Sequence, residues 1–372
     1  MPLWLAKPGR SGSVPGTFHR IISGDMALFP RSRSTVGLDI GSGCIKVVVI
    51  NHASGQPVLE KVALARVPDD AIVEGEVMDP SVVANAVRQL LSEAGVKAKE
   101  VVVAVGGRDV IIKKILMDRM KDQEAREVIR WEADQHVPFD PESVELDFQI
   151  LDPQADGLQM QVLLVAAKRE LVESKLTLLA EIGLDASAID VEAFALHNAF
   201  ERNYPEAMRG VVALANVGHE TTTVNLLEDG VPVLTRDLPI GVRRLREDLQ
   251  RERGMAADAA DRVVRGLDPD PALAPHVASR GEELALGIER AAAFLQTSSK
   301  PVGSLARLYL TGGGSRVPGL AGVLSDRLRV PVTPAHAVER LTVAPGAFDG
   351  LNVDEVSPLL MLPVGLALRA VA

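Results

Sequence analysis

Aromatic residues are scarce: two Trp, two Tyr and eight Phe, 3% of 372 residues. With 47% of the chain apolar, the cores must be built from Val, Leu, Ile and Ala, which suits α/β packing around buried aliphatic strands. Cysteine is nearly absent. Cys44 alone excludes an intramolecular disulfide, fits a reducing compartment and is expected to be a small packing residue. No apolar run approaches the ~18–20 residues of a membrane span. The opening "MPLWLAKPGRSGSVPGTFHR" lacks a continuous apolar core and a clear cleavage site, so no signal peptide is expected. A basic excess is missing too: 40 Lys and Arg against 50 Asp and Glu give −10, which argues against nucleic-acid binding. A cytoplasmic protein of two or three domains is expected.

What is present begins with a tail. Residues 1–33 are rich in Gly, Ser and Pro and carry Lys7, Arg10, Arg20, Arg31 and Arg33 against Asp25. They read as a flexible basic tail, with a natural start at Met26 as the alternative. "GLDIGSGCIKVVVI" (37–50) then places Gly41, Ser42 and Gly43 between two strand-like runs. The β-branched exit makes this a hairpin tip, neither a Rossmann nor a Walker fingerprint. A helix is predicted over 79–96, capped by Asp79 with Pro80 first and Gly95 at its end. Strands at 100–107 and 110–117 are expected to flank a Gly-Gly turn. A helix over 121–140 puts Glu132 and His136 four apart; lacking a third ligand, they read as a solvated polar pair.

The second half repeats the first. "GVVALANVGHETTTVNLLEDGVPVLTRDLPIG" (210–241) is again strand, glycine turn, strand, turn, strand, with Asp39-Ile40-Gly41 answered by Asn216-Val217-Gly218. Residues 241–300 read as mostly helical. "RLYLTGGGSRVPGLAGVLSDRLRVPV" (307–332) is a strand, a third glycine turn and a helix, and "PLLMLPVGLALRA" is an apolar closing helix. Backbone N–H groups at such turns can approach phosphate oxygens closely, because glycine leaves the approach open.

Three glycine turns ending buried strands, two of them on duplicated hairpins, resemble the actin/Hsp70/sugar-kinase superfamily. Within it, "VGLDIGSGCIKVV", "IRWEADQHVPFD", "DVEAFALHN", "TTTVNLLEDGVPVLTRDLPIG" and "YLTGGGSRVPGL" are similar to the PilM family of type IV pilus assembly proteins. The resemblance runs from about Thr35 to the C-terminus. It implies an actin-like ATPase fold, two RNase H-like domains around a nucleotide cleft, with domain 1 over 34–205, domain 2 over 206–345 and a segment 346–372 returning to domain 1. A small inserted subdomain of the FtsA type is implied at about 75–170.

The resemblance also implies roles. Asp39 would hold Mg²⁺ through water. Gly41, Ser42, Gly43 and Cys44 would offer N–H groups to ATP phosphates, and Lys46 its ammonium, although without the resemblance Lys46 reads as a solvated strand lysine. Gly218, Glu220, Thr221 and Thr222 would form the second grip. Glu192 would position water, or is a charge at a helix start. Gly312, Gly313 and Gly314 would approach the nucleoside, with Ser315 and Arg316 at the base, though Arg316 could also cover a helix end. Asn216 departs from the usual Asp, which puts hydrolysis in doubt. The implied partners are the PilN cytoplasmic N-terminal peptide, other inner-membrane pilus components and the motor ATPases, with membrane association only peripheral. The peptide groove would lie between domain 1 and the insertion, near Val110, Ile112 and Ile115, each of which reads equally as part of the insertion's own small core. A sugar-kinase-like phosphotransferase lacks a convincing Asp base, and an FtsA-like tethered filament lacks a detached amphipathic anchor.

Overall fold

The computed structural model describes residues 34–53, 55–296 and 303–369; the basic tail lies outside them. The β-branched runs flanking Gly41–Gly43 form β1 (Ser34–Ile40) and β2 (Cys44–Asn51), which pair antiparallel, and β3 (Val58–Arg66) continues the meander. A two-stranded ribbon follows, β4 (Ile72–Val73) and β5 (Glu76–Val77), and then α1 (Pro80–Glu93), with the Asp79 side chain accepting the Val82 N–H as its cap. The next strand, β6 (Glu100–Val105), runs parallel to β1.

The two expected strands flank Gly106-Gly107, but they do not pair with each other. β6 is buried from Val101 to Val105 and sits inside the first sheet, as a strand covered on both faces does. β7 (Val110–Asp118) leaves through Gly107, at φ +84°, into a separate sheet with β8 (Val144–Asp156) and β9 (Gln159–Lys168), covered by α2 (Asp122–Asp134). The insertion expected over about 75–170 is therefore narrower, because α1 and β6 belong to the first domain's own core. α2 also ends before His136, so Glu132 and His136 do not share a helical face.

The chain returns through α3 (Arg169–Ile182), β10 (Asp185–Val191) beside β6, and α4 (Glu192–Asn203). The second half lays down β11 (Val211–Val217), β12 (Thr222–Glu228) and β13 (Val231–Leu238), then α5 (Arg243–Arg253), α6 (Ala257–Val264) and α7 (Leu273–Gln296). It closes with β14 (Leu305–Thr311), α8 (Leu320–Leu328) and β15 (Val332–Pro334). Its sheet runs β13-β12-β11-β14-β15, and the first half has the same order, β3-β2-β1-β6-β10, with the same antiparallel and parallel pairings. The two halves are one architecture used twice.

The chain rejoins the first sheet earlier than residue 346, since β16 (Thr342–Val343) pairs parallel with β3. After α9 (Val353–Val356), α10 (Met361–Ala367) lies across β1 and α4. The fit is close: a Cβ on Gly37 would stand 2.2 Å from the Pro363 carbonyl oxygen, and one on Gly365 1.7 Å from that of Ala195. Leu360, Val364 and Leu366 join Val48, Ile50 and Leu59 of the first half and Val212, Leu214 and Leu227 of the second in one apolar cluster. Truncating such a side chain to Ala costs roughly 2–5 kcal/mol.

Candidate functional site

The β1–β2 register sets Asp39 directly opposite Lys46, and the ammonium lies 2.7 Å from Asp39 Oδ2. Burial pulls the Lys46 pKa down, but the Asp39 charge and hydrogen bond, with the smaller effects of Cys44 and Glu192, together outweigh it and hold the ammonium above its ordinary value. A Cβ on Gly41 would stand only 3.7 Å from Lys46 Nζ, so the missing side chain leaves the approach to that cation open. Glu192, at the first position of α4, faces the same place. Burial first, and the nearby Asp39 charge second, push its carboxyl up to about 7. Gly106 makes room for it, since a Cβ there would meet Glu192 Cδ at 2.5 Å. Glu192 borders two small cavities, one shared with Asp39 and Lys175, the other with Thr223 and Asp237.

The second hairpin repeats the geometry with different chemistry. Asn216 stands opposite Thr223, where the first has Asp39 and Lys46. The Gly218 N–H donates to Thr221 O at 2.8 Å and closes the turn. The Thr222 hydroxyl donates to Ile240 O at 2.6 Å, so it is turned away from the cleft, while Thr221 is exposed. Both Glu220 oxygens are engaged within the chain: Oε1 accepts from Arg243 at 2.8 Å and Oε2 from the Glu74 N–H at 2.7 Å.

The third turn seals the group. A Cβ on Gly312 would lie 2.5 Å from Asn216 Oδ1, and one on Gly314 2.2 Å from Val217 Cγ1, so the turn sits directly on the end of β11. Gly313 begins the single 3-10 turn Gly313–Arg316. The Ser315 hydroxyl donates back to Gly312 O at 2.6 Å. Arg316 has its pKa lowered by burial and then by the like charge of Arg265, and its buried Nε has no partner.

The sequence-nominated residues thus converge from three strand ends, with the Cys44 thiol beside them and its pKa raised by burial. Sequence reasoning missed Arg265, Arg243, His219 and Asp237. Only the topology brings Arg243, Arg265 and Asp237 to the turns, with no local motif to mark them, whereas His219 sits inside the second turn itself, between Gly218 and Glu220. Val110 and Ile112 are partly buried against Val191, Ala193 and Phe194 and line the second of the two Glu192 cavities, whereas Ile115 fills the core under α2.

The family model of type IV pilus assembly protein PilM matches residues 37–371. The chain belongs to this family. A solved structure titled PilM-PilN type IV pilus biogenesis complex contains a similar chain, 31% identical, TM-score 0.80, covering 92% of this chain and 100% of that one. Ethanolamine utilization protein EutJ from Carboxydothermus hydrogenoformans shares the fold at 18% identity and TM-score 0.56, over 92% of this chain and 91% of that one. Cell division protein FtsA of Bacillus subtilis (strain 168) is 23% identical over 256 residues, 62% of this chain. That match spans 57% of FtsA, little more than half its length. As in the PilM family, the fold is that of the actin-like ATPases. No helix among the described residues is long and apolar enough to cross a membrane.

Proposed function

We propose that this PilM-family chain is an ATP-binding scaffold on the cytoplasmic side of the type IV pilus inner-membrane assembly complex. The observation that carries it is the meeting of three glycine turns around the Asp39–Lys46 pair and the unpartnered Arg316 Nε, in a chain similar over 92% of its length to the one in the PilM-PilN complex. Lys46 and the N–H groups of Gly41, Ser42, Gly43 and Cys44 would hold phosphates, with Gly218 and Thr221 opposite. Gly312, Gly313, Gly314 and Arg316 would take the nucleoside. Asp39 fits Mg²⁺ held through water. No group of three acidic, His or Cys side chains that would bind a metal directly is present among the described residues, and Mg²⁺ commonly relies on phosphates, waters and one or two carboxylates. The metal would supply charge neutralisation at the phosphates. Glu192 would orient water, and Asn216 would keep any hydrolysis slow because it lacks a charge.

The partner proposed is the N-terminal peptide of PilN. β7 is an edge strand of the insertion sheet, and Leu116 on it is 46% exposed, which suits an extended apolar peptide. The scaffold would link that peptide to the other inner-membrane components and the motor. The test is nucleotide identification in protein purified without added ATP, followed by calorimetric titration of the peptide. Bound ATP and a peptide affinity are expected; protein that neither carries nor binds ATP overturns the reading.

A further inference from the structure

After β3 the chain crosses onto the second half, and its contacts there are ionic. Arg66 lies 2.5 Å from Asp261 of α6, Asp70 2.9 Å from Arg243 of α5, and Asp69 3.5 Å from Arg246. At the tip of the β4–β5 ribbon, the Glu74 N–H is bonded to Glu220 of the second glycine turn. Arg243 is fixed there twice, through its guanidinium on Glu220 and through its own N–H on His219 O at 2.8 Å. The ribbon, Arg243 and the turn are one bonded unit, and His219 in turn presses on Gly43 of the first turn.

Two features mark this crossing as a catch rather than a permanent weld. The floor of the cleft is an apolar core shared by both halves, whereas the rim is joined by partly exposed ion pairs, each individually weak and salt-sensitive. Asp70 and Glu74 hold φ of +62° and +51°; Glu74 with Gly75 forms the tight turn that the two-residue β4–β5 hairpin requires, and aspartate takes this backbone locally, so the ribbon keeps its own shape and can move as a unit. Both Asp70 and Glu74 make a cross-cleft contact themselves.

We infer that the segment 66–76 is a latch over the cleft, pinned by Glu220 and Arg243, and that nucleotide exchange requires it to open. The gating role rests on the proposal that the cleft binds ATP. Glu220, with both oxygens engaged inside the protein, is on this account a positioning residue: it makes the shape of the second turn depend on the latch.

The test uses two readouts on the whole chain, with Arg243→Ala and the more conservative Arg66→Ala, whose side chain is 62% exposed. The first is amide hydrogen exchange without nucleotide. Exchange across 69–76 is expected to quicken about five-fold in both variants, as the loss of weak ion pairs implies, while β1 and β11 stay protected. The second is dissociation of a fluorescent ATP analogue. Release is expected to be about five-fold faster in Arg243→Ala, and ionic strength of about 1 M should speed wild-type release but leave the variant nearly unchanged. Unaltered exchange in both variants overturns the latch, whether or not nucleotide binds. Faster exchange with unaltered release overturns the gating. A chain that binds no analogue overturns the ATP proposal and the gating together, while the exchange result still decides the latch.

Discussion

His219 occupies the space a side chain on Gly43 would need: a Cβ there would lie 2.8 Å from His219 Cβ. The two hairpin tips, one from each half, are therefore in direct contact, and the closeness depends on the absence of a methyl group. Gly43→Ala should force the tips apart. The expected outcome is at least about tenfold weaker ATP binding in calorimetry with a melting temperature close to wild type, since steric misplacement near a site is felt steeply. Unchanged affinity would show that the tips do not grip the phosphates.

The Asp39–Lys46 pair predicts losses of two kinds. Lys46→Ala removes the cation and should weaken ATP binding strongly, and Asp39→Ala should weaken Mg²⁺-dependent binding. Each also leaves the other member of a largely buried pair without its partner and should destabilise the ligand-free fold, by roughly 3 kcal/mol as an upper figure. Urea unfolding of both variants checks this; stabilities equal to wild type would contradict the pairing.

Glu192 gives a pH dependence with a definite sign. Its folded pKa of about 7 lies above the ordinary carboxylate value of 4.5, so the folded state binds the proton more tightly than the unfolded chain. Its contribution is fully present below the unfolded pKa and is lost as pH rises through about 7. Glu192→Gln should therefore match wild type near pH 5 and exceed it near pH 8, by at most about 3 kcal/mol. A stability difference independent of pH would place the proton elsewhere.

Asn216→Asp restores a charge with almost no change of shape at the end of β11. If polarisation of Mg²⁺-bound water limits turnover, single-turnover phosphate release should rise about ten- to a hundredfold. No increase would move the limit to Glu192 or to closure of the cleft.

Arg369, beyond α10, forms a buried ion pair with Asp190 of β10 at 3.0 Å. Arg369→Ala should cost roughly 3 kcal/mol, since it strands a buried carboxylate, and pairing it with Asp190→Asn should recover much of that loss. Thermal unfolding of the single and double variants reads this directly.

The repeated halves were legible because their signals are local. Aliphatic runs broken by glycine turns mark β1–β2 and β11–β12, and Asp79-Pro80 marks the start of α1. β6 and β7 are legible as strands around Gly106-Gly107, but both are β-branched runs and nothing local says which sheet each joins. The burial of every residue from Val101 to Val105, against alternation in β7, is the trace of that difference. The Glu220–Glu74 bond joins residues 146 apart, and Gly266, just after α6, lies against Arg316 and Pro318 of the third turn. Such pairings are properties of the topology, with no local sequence pattern to announce them.

The apolar cluster beneath the cleft draws on Val48 and Leu59 from one half, Val212 and Leu227 from the other, and Leu360 and Val364 from the closing segment. Neither half holds a complete interior. A fragment ending before residue 206 would present the inner faces of β2, β3 and α4 to water and should aggregate rather than fold. The sequence duplicates an architecture, yet the folding unit is the whole chain, and synthesis must reach α10 before the first strand is finally covered.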